Sequence, residues 1–274
     1  MDVGTIIGLL AAFGSVGAML FMEGGHLSAL ILPAPMVLVF GATISVGVAG
    51  STLKDVVVSV KSLPKAFRGK TTKPQETIDQ IVAFAEKARR EGLLMLESDA
   101  NDVSDPFLKN ALRNIADGTG GEELRMLLED EIATKHKADR NAAKWFKSLG
   151  GYAPTIGIIG TVVSLTHVLE NLSTPGKLGP LIATAFVATL WGLLSANFIW
   201  LPIGDRLLRL AELEAERMNL ILEGMLAVQE GAQPRLLAER LRGMVPAASL
   251  PKEKSEKPEK SGRAAEALSA EPTT

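Results

Sequence analysis

The chain has 274 residues, of which 47% are hydrophobic, with a mean hydropathy of +0.21 and a formal net charge of −2. It contains no cysteine and only three histidines, none of them paired at a ligand-like spacing, so we expect no disulfide and no metal site. The near-zero net charge gives no case for nucleic-acid binding, which needs a clustered basic face.

Four apolar runs are each long enough to cross about 30 Å of hydrocarbon, which takes roughly 20 helical residues. They are Val3–Met22, Leu27–Ala49, Leu149–Leu169 and Leu178–Ile203. The first run lacks the basic segment of a cleavable signal peptide, and no Ala-x-Ala site precedes the second, so we expect a retained helix. Buried helices of a soluble core are the alternative, but four such runs in one chain favour membrane spans.

The basic residues are distributed unevenly along the chain. None occurs before Lys54, none between the first two runs, and only Lys177 between the last two. The other 28 of the 29 basic residues lie within Lys54–Lys147 or from Arg206 onwards. The positive-inside rule therefore predicts that both termini and the large middle loop lie in the cytoplasm of an inner-membrane protein.

The middle loop has the pattern of a helical domain. An amphipathic segment follows the second run until Pro64 and Gly69 interrupt it, and a helix then starts near Pro74 and stops at Gly92. Asp105-Pro106 opens the next helix. After a glycine-rich turn, a long helix from residue 122 is expected to continue into the third span.

An amphipathic helix extends the fourth span inwards, and Pro234 starts a short last helix. Residues 251–274 are charged and poor in large apolar side chains, which is typical of disorder. The sequence has no strand pattern, phosphate-binding loop, zinc spacing or nucleophile elbow, so nothing favours an enzyme.

The predicted fold class is an all-α membrane protein with four transmembrane helices and a large helical cytoplasmic domain between helices two and three. The expected parts are two spans in 1–50, a cytoplasmic domain in 51–147, two spans in 148–203, cytoplasmic helices in 204–250 and a tail in 251–274.

Spans three and four combine small residues with hydroxyls. Thr161 and Thr189 lie near mid-span beside Gly160 and Ala188, and they could face a shared seam that offers oxygens to a cation or a water chain. A threonine in a membrane helix more commonly bonds back to its own backbone. Ion crossing normally uses a titratable side chain at mid-depth, and these spans contain none, so a partner polypeptide would have to supply it.

Three separated motifs resemble one family. GYAPTIGIIGTVVSLTHVLENL and LGPLIATAFVATLWGLLSANFIWLPIGDRL are similar to the third and fourth transmembrane helices of the MotA family of flagellar motor stator subunits, and FAEKARREGLLMLESD to its cytoplasmic signature. The resemblance covers about residues 1 to 245 and leaves out the tail.

The resemblance implies a ring of five copies around two copies of MotB, a one-span, peptidoglycan-binding partner whose membrane helix brings the missing aspartate. It implies further that the cytoplasmic loop pushes on the rotor protein FliG. By matching position, Arg89 and Glu97 correspond to the rotor-facing charge pair. Arg90 would share the stripe of Glu97 if the helix persists past Gly92. A solvated helix face is the alternative for these charges.

Pro154 and Pro202 match the family's two functional prolines, which would suit hinges between the spans and the loop; undirected helix breaking is the alternative. Sodium-driven relatives tend to carry two adjacent threonines in span four, where this chain has Ala188-Thr189. The resemblance therefore favours protons as the coupling ion, with sodium possible and no other cofactor expected. Two alternative hypotheses for the function are an ExbB- or TolQ-like energiser of a periplasm-spanning machine and a non-conducting membrane scaffold.

Overall fold

The computed structural model describes residues 3–69 and 73–250, and this part of the chain is almost wholly helical, without a β-strand. The predicted tail, 251–274, lies outside the described residues. The helices are α1 Val3–Met22, α2 Pro33–Ala49, α3 Leu53–Arg68, α4 Pro74–Glu91, α5 Leu96–Asp102, α6 Pro106–Ala116, α7 Gly121–Glu170, α8 Pro175–Gln229 and α9 Pro234–Gly243. The predicted all-α class is confirmed.

Two very long helices, α7 and α8, form the axis of the molecule. At 1.5 Å per residue, the 50 residues of α7 span about 75 Å. Only the second half of the helix is apolar, and the first half extends well beyond it. Helix α8 pairs antiparallel with α7 along this length, and it contains a π-helical turn, Ala196–Trp200, just before Pro202. The polar and apolar parts of the chain are therefore joined by continuous helices.

Among the described residues, α1, α7 and α8 are long and apolar enough to cross a membrane, whereas α2 is shorter. The predicted second span began at Leu27, but the helix begins at Pro33, because Pro33 and Pro35 have no N–H to donate and fit only a first turn. Its 17 residues (33 to 49) measure about 26 Å. The count of four spans remains a prediction.

Two tryptophans hold α2 against the long helices. The indole N–H of Trp191 donates to the carbonyl of Leu30 at 2.6 Å, and that of Trp145 donates to the carbonyl of Gly47 at 3.0 Å. One bond lies at each end of α2. Its position is thus set from both α8 and α7.

Helix α3 runs through Pro64 and ends at Gly69, so the predicted interruption at Pro64 is wrong. A proline inside a helix removes one backbone hydrogen bond, but tertiary packing can outweigh that loss. Here Ala66 is buried and Phe67 half-buried against α7 and α8, which holds the residues after Pro64 in the helix. The predicted stop at Gly69 is confirmed.

Outside the apolar segments, α4 to α6, α9 and the polar ends of α7 and α8 form a domain, here called the polar domain, whose core is built from two separate parts of the chain. Buried side chains of α4 to α6 and the first turns of α7 pack against the end of α8 and against α9. Gly224 of α8 faces Ile81 of α4 so closely that an added methyl group would lie 2.7 Å from the isoleucine side chain. Residues before the apolar half of α7 and after the apolar part of α8 therefore share one hydrophobic core.

Candidate functional site

Thr161 of α7 and Thr189 of α8 meet where the two helices cross. The hydroxyl of Thr161 contacts the hydroxyl of Thr189, and lies 3.1 Å from the carbonyl oxygen of Ala185 and 3.2 Å from that of Gly157. The contact to Gly157 is the ordinary bond of a threonine to its own helix, but the other two reach across to α8. Both residues are half-buried. The structure thus brings two of the predicted residues together in a cluster of four oxygens.

Small residues make this approach possible. A methyl group added to Gly157 would lie 3.0 Å from the carbonyl oxygen of Ala188 and 3.1 Å from Cα of Gly192, so backbone faces backbone here. A methyl group added to Gly160 would lie 2.9 Å from Cβ of Ala188. Ala188 is itself 1% exposed, so the seam has no spare volume for a larger side chain at that position.

The other span hydroxyls act within their own helices. In the described parts of α7 and α8, Thr155, Thr166, Thr184 and Ser195 each donate to a carbonyl three or four residues earlier. The side-chain amide of Asn197 does the same with the carbonyl of Leu193. The Thr161–Thr189 pair is therefore the hydroxyl contact that links the two helices in this part of the chain.

The described apolar segments place no carboxylate beside this pair. Glu170 lies at the end of α7, and Asp205 forms an ion pair of 2.8 Å with Lys147 outside the apolar segment. A hydroxyl can accept or pass on a proton and can coordinate a cation, but it carries no charge near neutral pH. These two threonines can line a path for an ion, and the group that binds its charge has to come from elsewhere.

Pro154 and Pro202 lie near the same end of the apolar segments of α7 and α8. Pro154 is inside α7, one turn after Gly150, and a methyl group added to Gly150 would lie 2.6 Å from the side chain of Leu201. Pro202 follows Leu201 directly and comes immediately after the π-helical turn of α8. Both helices continue through their prolines, so neither breaks a helix.

The charged corner of the polar domain lies between α4 and α5. Arg89 and Arg90 are exposed in the last turn of α4, and Glu97 is exposed in α5. Gly92 ends α4 with a φ of +89°, a conformation that favours glycine, and residues Leu93–Met95 form a short 3₁₀ turn. The sequence predicts that Arg90 and Glu97 share one helix face if the helix continues past Gly92. Helix α4 ends at Glu91, so the two residues do not lie on a common helix face.

An ion pair that the sequence did not reveal fixes this corner. The ammonium of Lys87 lies 2.8 Å from a carboxylate oxygen of Asp99, which ties α4 to α5 across the turn. The hydrogen bond to Asp99 raises the pKa of Lys87 above its ordinary value of 10.5. The pair is 12 residues apart in sequence, so only the fold of the turn brings it together. It holds the charged residues of the two helices in a fixed arrangement.

Two family models match the chain. The MotA/TolQ/ExbB proton channel family matches residues 99–220, and the motility protein A N-terminal family matches residues 6–92. Motility protein A of Bacillus subtilis (strain 168) is 33% identical over 252 residues, covering 90% of this chain and 92% of that protein. Chemotaxis protein PomA of Vibrio alginolyticus is 31% identical over 242 residues, covering 88% of this chain and 94% of that protein.

Solved structures with the same fold include two stator complexes. A structure of C. jejuni MotAB has a TM-score of 0.87 at 29% identity, covering 92% of this chain and 100% of that one. The flagellar MotAB stator complex from Bacillus subtilis has a TM-score of 0.80 at 33% identity, covering 89% of this chain and 96% of that one. The agreement therefore extends over both the apolar helices and the polar domain.

Proposed function

The chain belongs to the MotA/TolQ/ExbB proton channel family and is a flagellar stator subunit of the motility protein A type; from this premise we propose how it works. Helices α7 and α8 line an ion path at Thr161 and Thr189, and a MotB-type partner supplies the titrating carboxylate. Ion flow then moves the cytoplasmic domain against the rotor. The work is ion transfer and mechanical contact, without a catalytic step.

The observation that carries this proposal is the cluster of oxygens around Thr161. It lies in a tightly packed seam between two apolar helices, and the described residues place no charged group beside it. Polar groups at membrane depth are costly and mark functional paths. A one-span partner with a membrane aspartate would complete the site.

We favour the proton as the coupling ion. A sodium ion that leaves water needs a shell of oxygen ligands in its place. Ala188 contributes no side-chain oxygen, and its close packing against Gly160 leaves no room for a second hydroxyl there. A proton needs only a relay, which two hydroxyls in contact can form.

The proposed arrangement in the cell follows from the charges and the exposed apolar surface. The distribution of basic residues supports a topology with both termini and the loop domain on the cytoplasmic side of the inner membrane. Apolar side chains of α1 are exposed, with Phe21 at 84% and Leu10 at 68%, which suits contact with lipid or other subunits. A homopentamer around two MotB-type chains would cover part of this surface.

The proposed contact with the rotor protein FliG uses Arg89, Arg90 and Glu97. All three are exposed at the rigid corner between α4 and α5. Charges on an exposed rim steer a partner and fix its register. Motion of the spans would reach this corner through α7 and α8, with Pro154 and Pro202 as the flexible points.

The ion path is tested by reconstitution into vesicles, with internal pH as the readout. We expect no proton flux with this chain alone and clear flux when the MotB-type partner is present. Thr189→Val should lower that flux by about tenfold, as expected when an interaction of about 1.4 kcal/mol is lost. Thr184→Val is the matched control, because Thr184 bonds only to the carbonyl of Pro180 in its own helix.

Proton flux through this chain by itself would contradict the proposal that the partner supplies the titrating carboxylate. Flux that follows a sodium gradient at constant pH, and not a proton gradient, would replace the proton by sodium. An absence of both with the partner present would favour a passive scaffold.

The rotor contact is tested by Glu97→Lys. We expect slower swimming with normal membrane insertion, because the reversed charge repels a partner selected for a carboxylate at this corner. Swimming speed and the amount of protein in the membrane fraction are measured together. Asp130→Lys makes the same charge change at an exposed position of α7 and should swim normally. Normal swimming of the Glu97→Lys variant would show that Glu97 does not take part in the rotor contact.

A further inference from the structure

A stripe of four cations follows one face of α7 just before its apolar half. Lys137, Arg140, Lys144 and Lys147 are spaced by three, four and three residues, which places them on the same side of the helix. All four are exposed. The near-zero net charge of the whole chain conceals this local excess of positive charge.

The stripe borders a recess of about 550 Å³ between α7 and α8. Leu208 of α8 forms an apolar part of its wall, and His136 lies at its edge. The Nε2 atom of His136 is buried and has no hydrogen-bond partner among the described residues. The recess therefore offers both hydrogen-bond donors and an apolar surface.

The cations of the recess are mostly unneutralised within the chain. Lys147 pairs with Asp205 at 2.8 Å. In the described part of the chain, Asp139 of the same helix is engaged elsewhere, with Lys65 and Lys135. No ion pair of Lys137, Arg140 or Lys144 is formed among the described residues. Such a site favours an anion with several acceptor oxygens.

The depth of the stripe matches the phosphate layer of a bilayer. The third apolar run begins at Leu149, so at 1.5 Å per residue Lys147 lies about 3 Å, Lys144 about 8 Å and Arg140 about 14 Å below it. A headgroup layer is about 5 to 8 Å thick on each side of the hydrocarbon. Long basic side chains extend towards that layer, so the upper three cations reach it.

We propose that this recess binds the phosphate group of an anionic phospholipid from the cytoplasmic leaflet. The orientation rests on the proposed function, which places α7's first half in the cytoplasm. The headgroup phosphate lies among Arg140, Lys144 and Lys147, and Leu208 forms an apolar side of the recess at this level. The lipid anchors the joint between the cytoplasmic domain and the spans. Each cation that contacts an anionic surface adds about fivefold to binding.

The test uses the complete stator complex, purified in mild detergent and offered phosphatidylglycerol or phosphatidylcholine, with bound lipids counted by native mass spectrometry. We expect retention of phosphatidylglycerol in preference to phosphatidylcholine. Arg140→Gln with Lys144→Gln should weaken that binding by about 25-fold, the product of two fivefold losses. Arg140→Lys with Lys144→Arg should retain it. Lys109→Gln with Arg242→Gln removes the same two charge types away from the recess and should have no effect.

Equal binding of both lipids, or unchanged binding in the double glutamine variant, would overturn the proposal. Release of the lipid by millimolar inorganic phosphate would also do so, since it would indicate a site for free phosphate. If the double glutamine variant binds lipid normally but its assembly has a changed mass, the stripe would instead form contacts between copies of this chain. The number of bound lipids does not depend on whether the complex conducts ions. Measuring ion flux on the same samples therefore distinguishes a failure of the lipid site from a failure of the proposed function.

Discussion

At the scale of single residues, the chemistry of Thr161 depends on neighbours that have almost no side chain. Gly157, Gly192 and Ala188 let the α7 and α8 backbones approach closely enough for the threonine hydroxyl to reach the carbonyl of Ala185 at 3.1 Å. In lipid, close packing of this kind replaces the hydrophobic driving force that holds soluble helices together. The glycines thus shape the contact between Thr161 and α8 although they carry no functional group.

Gly157→Ala tests this dependence. Alanine is about 1 kcal/mol better than glycine in a helix interior, but its methyl group would lie 3.0 Å from a backbone oxygen that no rotamer change can move away. We expect the helices to separate, with a cost of about 1 to 3 kcal/mol and a loss of ion flux. Thermal unfolding of the complex and vesicle flux measure the two effects.

Gly151→Ala on the same helix is the control, because nothing lies within 4 Å of the added methyl group. Equal effects of the two substitutions would mean that Gly157 has no special place in the seam.

At the scale of helices, the corner between α4 and α5 shows how a local stop signal and a distant ion pair act together. Gly92 supplies the positive φ that ends α4, and the Lys87–Asp99 pair then holds α5 against it. Arg89, Arg90 and Glu97 are displayed on two helices at a fixed turn. A rigid corner suits a contact that has to transmit force.

Lys87→Gln should loosen this corner, and the pH dependence of its effect follows from the raised pKa. A raised pKa means that the stabilisation is fully present below 10.5 and is lost as the pH rises through the higher, folded-state value. The drop in melting temperature should therefore be the same at pH 7 and at pH 9. Lys109→Gln in α6 is the control. A drop that shrinks between pH 7 and pH 9 would contradict the assignment of the pair.

At the scale of the whole molecule, the core of the polar domain is completed by residues that follow the apolar part of α8. Ile78 and Ile81 of α4 are packed in the same core as Met218, Ile221 and other residues at the end of α8. Packing in this core therefore connects α4 to both long helices, α7 and α8.

Ile221→Ala tests this shared core. Ile221 is fully buried, so its truncation should destabilise the polar domain by about 2 to 5 kcal/mol, although it lies far along the chain from α4 to α6. Hydrogen exchange of α4 to α6 amides in the intact complex provides the measurement. Leu236→Ala is the control, since Leu236 is 58% exposed. Unchanged exchange in α4 to α6 would show that the C-terminal helices are not part of this core.

The sequence by itself determined the features that depend on a few neighbouring residues. Asp105 caps α6 through the N–H groups of Phe107 and Leu108, as the Asp105-Pro106 start signal predicted, and Gly69 and Gly92 end their helices. The apolar runs predicted the membrane helices, and the family motifs identified the stator family. Caps, prolines and glycines act within one turn, so they can be read locally.

Only the tertiary structure decided the features that depend on contacts between distant segments. These are the continuation of α3 through Pro64 and the pairs Lys87–Asp99 and Thr161–Thr189. Each is set by how helices pack, where burial can outweigh local preference. The hydroxyls could be located from the sequence, but whether they meet depends on the crossing of α7 and α8.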